Sequence, residues 1–378
     1  MIAAAATLAA VALLLLLWSY VGYPVLLARL ARKAHVPEAT PGAPPSVEVL
    51  VAAFDEEAGI ARRVANVLSQ EYAGSLALAI GCDGCRDATA ERAREAAAAN
   101  PRVRVAEFEI RRGKAAVVND LIRGSSAEIL VFTDANSEFL PGAVARLADC
   151  FSDPAVGAAC GRLVLVPPPG SEPTPETEFW DRETGLKEAE GRLGVCLGAN
   201  GAIYAARREL VSPLPEGAVL DDFRMAAQIA RDGRQVVFAG DAVAREVVAA
   251  DVAAEASRRF RIGIGAGEVL REEPWLWDFR RRPLLALAFV SRKAARWLAP
   301  VVAMGALACA LGVPSLRPWA AALAISLCLL AASVRLRPRP SGWPGRLYYF
   351  GVINLALAAG VVAGLAGYRR PVWKRTPR

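Results

Sequence analysis

The sequence predicts an α/β domain with a mainly parallel sheet, flanked by membrane-spanning helices. Two observations predict it. Between residues 46 and 136, short apolar runs alternate with helical patterns, which is typical of βαβ units. Longer apolar runs occupy both ends of the chain, at 3–30, 297–313, 318–334 and 347–367. A chain of 378 residues, 54% of them hydrophobic, is long enough for one such domain and several further helices.

Residues 1–33 are predicted to form an N-terminal transmembrane helix. No charged side chain precedes Arg29, and about 20 apolar residues suffice to cross a bilayer core. A cleaved signal peptide is the alternative, but it requires a basic start and a shorter apolar core. Tyr20 and Tyr23, followed by basic residues, fit the interfacial anchor of a retained helix.

The domain that follows is predicted at 46–272, after a proline-rich linker at 34–45. Its first strands are predicted at 46–54, 76–83, 103–109 and 128–136. The carboxyl ends of parallel strands share one edge of a sheet, and ligands bind there. Acidic residues lie at or next to three of these ends, and they are Asp55, Asp83 and Asp134. The sequence therefore predicts a cluster of carboxylates that could hold a ribose, a base or a hard divalent cation.

The C-terminal part is predicted as an interfacial amphipathic helix at 280–298, about three transmembrane helices at 299–368 and a basic tail at 369–378. The net charge of +7 comes mostly from arginines beside the apolar runs, and such clusters mark cytoplasmic flanks. We therefore expect a multi-pass protein of the plasma (inner) membrane with its soluble domain in the cytoplasm. Three further crossings would leave the tail outside, so it stays open whether one apolar run is re-entrant or interfacial.

Several classes of chemistry are excluded by composition and motif. The chain has one histidine, His35, in the predicted linker, which excludes a Ser-His-Asp triad and a histidine-rich zinc site. Neither a Walker loop nor G-x-G-x-x-G follows the first strand. No basic stripe with interleaved aromatic residues indicates nucleic acid. A general base must then come from a carboxylate, Lys, Tyr or Cys, and Asp221 and Asp222, at the start of a predicted helix, are the best candidates.

Cys82 and Cys85 form a C-x-x-C around Asp83 and Gly84. A zinc site would need two more ligands, and the other five cysteines contain no second close pair. A redox couple stays open, because Cys85 lies just before a predicted helix. Since cytoplasmic thiols are normally reduced, we prefer the interpretation that these cysteines are small residues framing Asp83.

An ordered set of motifs connects these features. It comprises VAAFDEE (51–57), IGCDGCRDAT (80–89), RRGKAAVVN (111–119), VFTDANS (131–137), GANGAIYAARREL (198–210), LDDF (220–223) and RRFRIG (258–263). Together with the flanking apolar segments, the set resembles the membrane-embedded family-two glycosyltransferases, such as the synthases of cellulose, hyaluronan and poly-N-acetylglucosamine. The resemblance implies a GT-A-type, Rossmann-like α/β fold with a mixed, mainly parallel sheet, flanked by transmembrane helices.

The resemblance also implies roles for individual residues. Nucleotide-sugar binding falls on Phe54, Asp55, Asp83, Gly84, Lys114, Asn119 and Asp134. The D-x-D motif, which places Mg²⁺ or Mn²⁺ on the diphosphate, falls on Asp134 and Asn136, and the general base falls on Asp222. The acceptor and diphosphate side falls on Gly198, Ala199, Asn200, Gly201, Asp221, Arg258, Arg259 and Arg261.

The activity implied is inverting transfer from a UDP-sugar to a saccharide or lipid-linked acceptor, in cell-envelope or exopolysaccharide synthesis. Membrane lipids and the partners of a polysaccharide synthesis or export complex are the further contacts expected. This chain departs from the pattern at Asn136, where the second acid of D-x-D is replaced, and at Arg258 and Ile262 in the Q-x-x-R-W region. Processive synthesis and transfer of one or few sugars therefore both stay open. The alternative function is that of a non-catalytic relative, which binds nucleotide sugar and scaffolds a polysaccharide synthesis or export complex.

Overall fold

The structure is a computed structural model that describes residues 1–32, 42–166, 175–247, 252–333 and 342–369. These residues form two compact units. One contains the described residues from 27 to 247, and the other contains those from 1 to 26 and from 252 to 369. Most of the predicted linker at 34–45, and all of the predicted basic tail after residue 369, lie outside the described residues.

The helices, in chain order, are α1 Ile2–Ala31, α2 Ile60–Leu68, α3 Thr89–Ala97, α4 Lys114–Arg123, α5 Ala143–Asp149, α6 Pro175–Arg192, α7 Asp221–Arg231, α8 Val252–Glu272, α9 Pro283–Leu311, α10 Arg317–Ser333 and α11 Gly342–Leu365. The strands are β1 Val47–Ala53, β2 Leu76–Asp83, β3 Val103–Phe108, β4 Ile129–Asp134, β5 Glu138–Phe139, β6 Val156–Val166, β7 Tyr204–Arg207 and β8 Gln235–Val247.

The strands form one sheet in the order β3-β2-β1-β4-β7-β6-β8-β5. β1 is parallel to β2 and β4, β2 is parallel to β3, and β6 is parallel to β8. β7 runs antiparallel to both β4 and β6, and β5 runs antiparallel to β8. The predicted mixed, mainly parallel sheet is therefore confirmed, and the four predicted strands lie within two residues of their expected bounds.

Helices cover both faces of the parallel half of the sheet. Val49 and Val51 of β1 pack in the same apolar cluster as Ile60 of α2, and α4 packs against β1 and β2. Gly81 permits the close approach of α4, because a Cβ there would lie 2.3 Å from Cγ1 of Val117. Burial on both faces explains why β1 and β2 are apolar throughout rather than alternating.

Three described helices are long and apolar enough to span a membrane: α1, α9 and the Gly345–Leu365 part of α11. The predicted interfacial helix at 280–298 is not a separate element, because α9 continues through it to Leu311. Its polar side chains find partners on α1: Trp18 Nε1 donates to Ser291 Oγ and Arg296 Nε donates to Ser19 Oγ, both at 2.9 Å. Because these polar groups are hydrogen-bonded to α1, they can lie within a membrane-length helix, and α9 continues past residue 298.

α8 and α11 cross at four glycines. A Cβ on Gly267 would lie 2.4 Å from the carbonyl oxygen of Val361, and one on Gly263 would lie 2.8 Å from Cα of Gly360. Gly364 faces Ile264 in the same way, at 2.2 Å from its carbonyl oxygen. Such small residues let helix backbones touch directly, so α8 and α11 pack in backbone contact.

Replacing Gly267 by alanine is expected to separate α8 from α11, since the new methyl group would overlap backbone atoms that cannot turn aside. Overpacking of this kind costs about 1–3 kcal/mol, so the thermal unfolding temperature of the detergent-solubilised protein should fall. Gly305→Ala on α9 is the matched control, because its Cβ would lie 3.8 Å from the nearest atom, Cδ1 of Leu8. Equal unfolding temperatures for the two variants would contradict the prediction.

Candidate active site

The centre of the site is an ion-paired group at the carboxyl end of β4. Lys114, the first residue of α4, lies with its Nζ 2.8 Å from Oδ1 of Asp134 and 3.1 Å from Oδ2 of Asp221. Burial by itself would lower the pKa of Lys114, but the charges of these two carboxylates outweigh it and raise the pKa. The ammonium group therefore stays protonated at neutral pH.

Gly201 completes this group from the segment before β7. A Cβ on Gly201 would lie 3.4 Å from Asp134 Oδ2, 3.6 Å from Lys114 Nζ and 3.9 Å from Asp222 Oδ2. Asp222 is the second residue of α7, and its other oxygen, Oδ1, accepts a hydrogen bond of 2.7 Å from the backbone N–H of Phe223. Two carboxylate oxygens and one ammonium group thus lie within 4 Å of the position that a Cβ on Gly201 would occupy.

Asp83 at the end of β2 orients the loop before α4. Its Oδ1 accepts from the backbone N–H of Arg112 at 2.7 Å, and its Oδ2 accepts from that of Gly113 at 2.8 Å. Gly84 has a φ of 62°, and a Cβ there would lie 2.6 Å from the backbone nitrogen of Arg111. Asp83 and Gly84 therefore position the loop that carries Lys114, a role that the sequence did not indicate.

Phe54 and Asp55, just after β1, lie beside two arginines. Arg86 binds Asp55 through its backbone N–H at 2.8 Å and its Nη2 at 2.6 Å, which holds Asp55 at a φ of 53°. The guanidinium carbon of Arg111 lies 3.4 Å from the centre of the Phe54 ring. This end of the sheet thus combines an aromatic face, a carboxylate and two cations, a set suited to a nucleotide.

Asn136 interacts with an acid that the sequence analysis missed. Its Nδ2 donates to Oε1 of Glu246 on β8 at 3.1 Å, and Glu246 is buried, with 7% exposure. Glu246 follows Asn136 by 110 residues, and no local pattern marks it in an alternating strand. A carboxyl group therefore lies next to the position where the D-x-D pattern lacks its second acid.

Asn119 makes its hydrogen bonds with the backbone of Leu214. Asn119 Nδ2 donates to the carbonyl oxygen of Leu214, and its Oδ1 accepts from the N–H of Leu214, both at 2.9 Å. Both polar atoms of Asn119 thus anchor the chain before α7. The proposed nucleotide contact of Asn119 stays a prediction.

Arg258 and Arg259 belong to the unit that contains the membrane-length helices. Within that unit their Nη1 and Nε lie 3.2 Å and 2.6 Å from the carboxylate of Glu255. Burial would raise the pKa of Glu255, but the two arginine charges lower it. Arg261 lies on the same helix. The assignment of these arginines to the diphosphate stays a prediction.

The segment 198–201 is held against the sheet by Asn200. Gly198 has a φ of 106°, Ala199 is buried, and Asn200 Nδ2 donates to the carbonyl oxygen of Gly161 on β6 at 2.9 Å. Asn200 Oδ1 accepts from Nζ of Lys187 on α6. Lys187 is a second residue that sequence reasoning missed, because it belongs to none of the motifs.

Tyr204 at the start of β7 lies behind the carboxylates. Its ring stacks on Phe132 with 4.6 Å between ring centres. Burial is the main reason why its pKa is well above the ordinary value, and the negative charges of Asp221 and Asp222 add to the effect. Tyr204 therefore stays neutral, and it is not a candidate base.

The two cysteines of the C-x-x-C lie against each other. The hydrogen bond from the Cys82 thiol is the main cause that lowers the pKa of Cys85 to about 7, while the same contact and burial raise the pKa of Cys82. Cys85 is half-buried and Cys82 is buried, and both are free thiols. Cys85 is therefore the more reactive thiol of the pair.

Alkylation of Cys85 by iodoacetamide is expected to rise as the pH passes about 7, where its thiolate forms. Cys82→Ala removes the hydrogen bond that stabilises the thiolate, so the pKa should return toward about 8.5 and the alkylation rate at neutral pH should fall by about tenfold. Peptide mass spectrometry measures the rate, with Cys150→Ala as the control. An unchanged rate in Cys82→Ala would refute the interaction.

We expect a divalent cation that also binds substrate to lie next to Gly201. Oδ2 of Asp134 faces this point, and hard cations prefer oxygen ligands. Among the residues that the structure describes, no group of three or more His, Cys, Asp or Glu side chains could hold a metal ion by itself. Mg²⁺ typically takes one or two protein carboxylates and completes its shell with phosphate oxygens and water, which is what this arrangement permits.

Gly201→Ala is expected to abolish most donor and cation binding without unfolding the protein. Its Cβ would make ordinary contacts at 3.4 Å or more, yet it would occupy the point on which the carboxylates converge. We expect the dissociation constant for UDP with Mn²⁺, measured by calorimetry, to rise by about tenfold or more, a loss of about 1.4 kcal/mol. The control is Gly185→Ala on α6, where a Cβ meets nothing within 4 Å. Equal affinities would refute the location of the site.

The chain is similar to known glycosyltransferases. Residues 44–265 match the family model described as Glycosyltransferase like family 2. An N-acetylglucosaminyltransferase of Sinorhizobium fredii is 29% identical over 179 residues, which cover 46% of this chain and 43% of that protein. Another, of Bradyrhizobium elkanii, is 32% identical over 123 residues, which cover 32% of this chain and 67% of that protein. The match thus spans less than half the length of the first relative.

A solved structure agrees with this. A mannosyltransferase of Pyrobaculum calidifontis, in complex with GDP-Man and Mn²⁺, superposes with a TM-score of 0.65 at 25% identity, over 95% of this chain and 99% of that one. The fold is therefore of the predicted GT-A type. Because the family model also matches more than half of the residues, the chain belongs to glycosyltransferase family 2.

Proposed function

We propose that this protein is a membrane-bound inverting glycosyltransferase that moves a sugar from a nucleoside-diphosphate-sugar to a saccharide or lipid-linked acceptor. The observation that carries the proposal is the convergence of Asp134, Lys114 and Asp222 on Gly201. It combines a cation for the diphosphate, one carboxylate for a metal and a second carboxylate for a base within one small space.

The reaction would use these residues in separate roles. Asp222 Oδ2 accepts the proton of the acceptor hydroxyl while the oxygen of that hydroxyl attacks the anomeric carbon. The bond from that carbon to the diphosphate breaks at the same time, and Lys114 stabilises the charge that develops on the leaving oxygens. Asp134, with Asn136 nearby, would hold Mg²⁺ or Mn²⁺, which would neutralise further charge on the diphosphate. A single displacement inverts the anomeric centre, so an α-linked donor yields a β-linkage.

The donor we favour is a UDP-sugar, and specifically one that carries N-acetylglucosamine. The support is that the curated relatives are named N-acetylglucosaminyltransferases. GDP-mannose is the second donor to consider, because the mannosyltransferase with the same fold was solved with GDP-Man. We assign the base and ribose of either nucleotide to Phe54, Asp55 and Arg111, supported by the aromatic ring, carboxylate and cation that these residues bring together.

We place the catalytic domain, predicted at 46–272, on the cytoplasmic face of the inner membrane, anchored by the membrane-length helices. The support is the presence of three such helices and the basic residues at their flanks. Membrane lipids would then surround α1, α9 and α11. A role in cell-envelope or exopolysaccharide synthesis, alone or with export partners, follows from an acceptor that is made or carried at the membrane.

The test is transfer by membranes that contain the full chain. Radiolabelled UDP- and GDP-sugars are supplied one at a time, with Mn²⁺, Mg²⁺ or a chelator, and the products are separated by size. We expect transfer from UDP-N-acetylglucosamine that requires a divalent cation, and the product length distinguishes one or few transfers from a polymer. Failure of every nucleotide sugar to bind would contradict the proposal, and binding without transfer would favour a non-catalytic scaffold.

A further inference from the structure

α6 presents a buried line of charged side chains to the sheet. Glu183, Lys187 and Glu190 follow one another at intervals of four and three residues, which places them on one helix face. Their exposures are 7%, 4% and 0%. Lysine is almost never buried to this degree unless it is paired, so the position of Lys187 needs a reason in the structure.

The ammonium group of Lys187 has a defined partner. Its Nζ donates to Oδ1 of Asn200 and lies 5.1 Å from the centre of the Trp180 ring. Asn200 is itself buried, at 3% exposure, and its Nδ2 donates to the carbonyl oxygen of Gly161 at 2.9 Å. The side-chain amide of Asn200 is thus held at both ends, on one side by the sheet and on the other by Lys187.

This pair determines where the next residue lies. Gly201 follows Asn200 directly and faces Asp134, Lys114 and Asp222. The backbone N–H of Ile203 donates to the carbonyl oxygen of Asn200 at 2.9 Å, which closes the turn. A lysine that fixes the Asn200 amide therefore fixes the position of Gly201, which faces the proposed base.

We infer that Lys187 is a positioning residue for glycosyl transfer: it holds Asn200, and through it the segment 198–201, at the distance from Asp222 that the reaction needs. The inference rests on the proposed function, because it concerns the same site. Lys187 itself would not touch the diphosphate, since Lys114 and Asp134 form that side of the cleft. Its loss should consequently reduce the rate of transfer more than the binding of nucleotide.

A double-mutant cycle on the full-length protein tests this. The variants are Lys187→Met, Lys187→Arg, Asn200→Ala and the double variant Lys187→Met with Asn200→Ala. Arg182→Met, which removes an exposed cation from the same helix, is the control. The measurements are kcat with UDP-N-acetylglucosamine or, if the panel selects it, GDP-mannose, and the dissociation constant of the matching nucleoside diphosphate with Mn²⁺.

We expect Lys187→Met to lower kcat by about tenfold to a hundredfold, the effect of losing one charge-assisted hydrogen bond. The nucleotide dissociation constant should stay within about twofold, and Lys187→Arg should restore most of the rate. The double variant should be no slower than Asn200→Ala alone, since the two side chains act through one contact.

Two results would overturn the inference: a kcat of Lys187→Met equal to that of Arg182→Met, or rate losses of the single variants that multiply in the double variant. If Lys187→Met fails to fold, Lys187→Gln replaces it under the same criteria. A lack of transfer by the unaltered protein with every donor contradicts the proposed function itself. Transfer that Lys187→Met retains in full contradicts the inference alone.

Discussion

Asp222→Asn is expected to lower the rate of glycosyl transfer by about 10²–10⁴-fold, the usual contribution of a general base. The amide cannot accept the proton of the acceptor hydroxyl, yet it has nearly the same shape as the carboxylate. Its oxygen can still accept the hydrogen bond from the N–H of Phe223, which is 2.7 Å long in the structure. Folding should therefore be preserved, and the rate at saturating donor is the measurement that decides.

Asp232→Asn provides the matched control for Asp222→Asn. Asp232 caps the other end of α7 and is exposed, so the same chemical change there should leave the rate unaltered. The dissociation constant of UDP with Mn²⁺ should remain close to that of the unaltered protein in both variants. Full turnover by Asp222→Asn would refute the assignment of the base, even if nucleotide binding were retained.

Lys114→Met is expected to weaken both donor binding and folding. It leaves Asp134 and Asp221 without the ammonium group that lies 2.8 Å and 3.1 Å from them. Removing one partner of a buried ion pair costs about 3–5 kcal/mol, and we expect a value near the lower limit because 36% of the Asp134 side chain is exposed. The measurements are the free energy of unfolding in denaturant and the affinity for UDP with Mn²⁺.

The pH dependence of this cost follows from the pKa of Lys114. A lysine whose pKa is raised on folding contributes stability that is fully present below its unfolded pKa of about 10.4 and is lost only as the pH rises through the higher folded value. The difference in stability between the two proteins should therefore be constant between about pH 6 and 9.

Arg123→Met, at the other end of α4, removes an exposed cation of an ion pair with Asp120 and should cost about 1 kcal/mol or less. A similar cost for both variants would contradict the prediction.

Local patterns in the sequence were sufficient for the parallel half of the fold. Buried strands flanked by helices read as continuous apolar runs, so β1 to β4 could be located within two residues. Because parallel strands place their carboxyl ends at one edge, the grouping of Asp55, Asp83 and Asp134 at that edge follows from topology once the runs are ordered. The ordered motifs then led to the family to which the chain belongs.

Local patterns in the sequence could not predict which residues far apart along the chain contact each other. Asn136 and Glu246 are 110 residues apart and meet where β5 pairs with β8, since Glu138, two residues after Asn136, lies opposite Arg245, the residue before Glu246. Asp83 is predicted to bind the nucleotide, and only the structure shows that its two oxygens accept hydrogen bonds from the backbone N–H groups of Arg112 and Gly113. A carboxylate at a strand end takes whichever donor is nearest, and the tertiary structure decides which donor that is.

Sequence alone therefore specified the chemistry of this protein: the strand-end acids, the lysine, the aspartate pair at the start of a helix and the apolar ends of the chain. Those features depend on residue type and on periods of two or 3.6 residues, which are local properties. The tertiary structure decided the geometry: which oxygens converge on Gly201, that Lys187 is buried against Asn200, and that the predicted interfacial helix is part of α9. Charges and hydrogen bonds act only at contact distance, and contact between distant residues exists only in the folded chain.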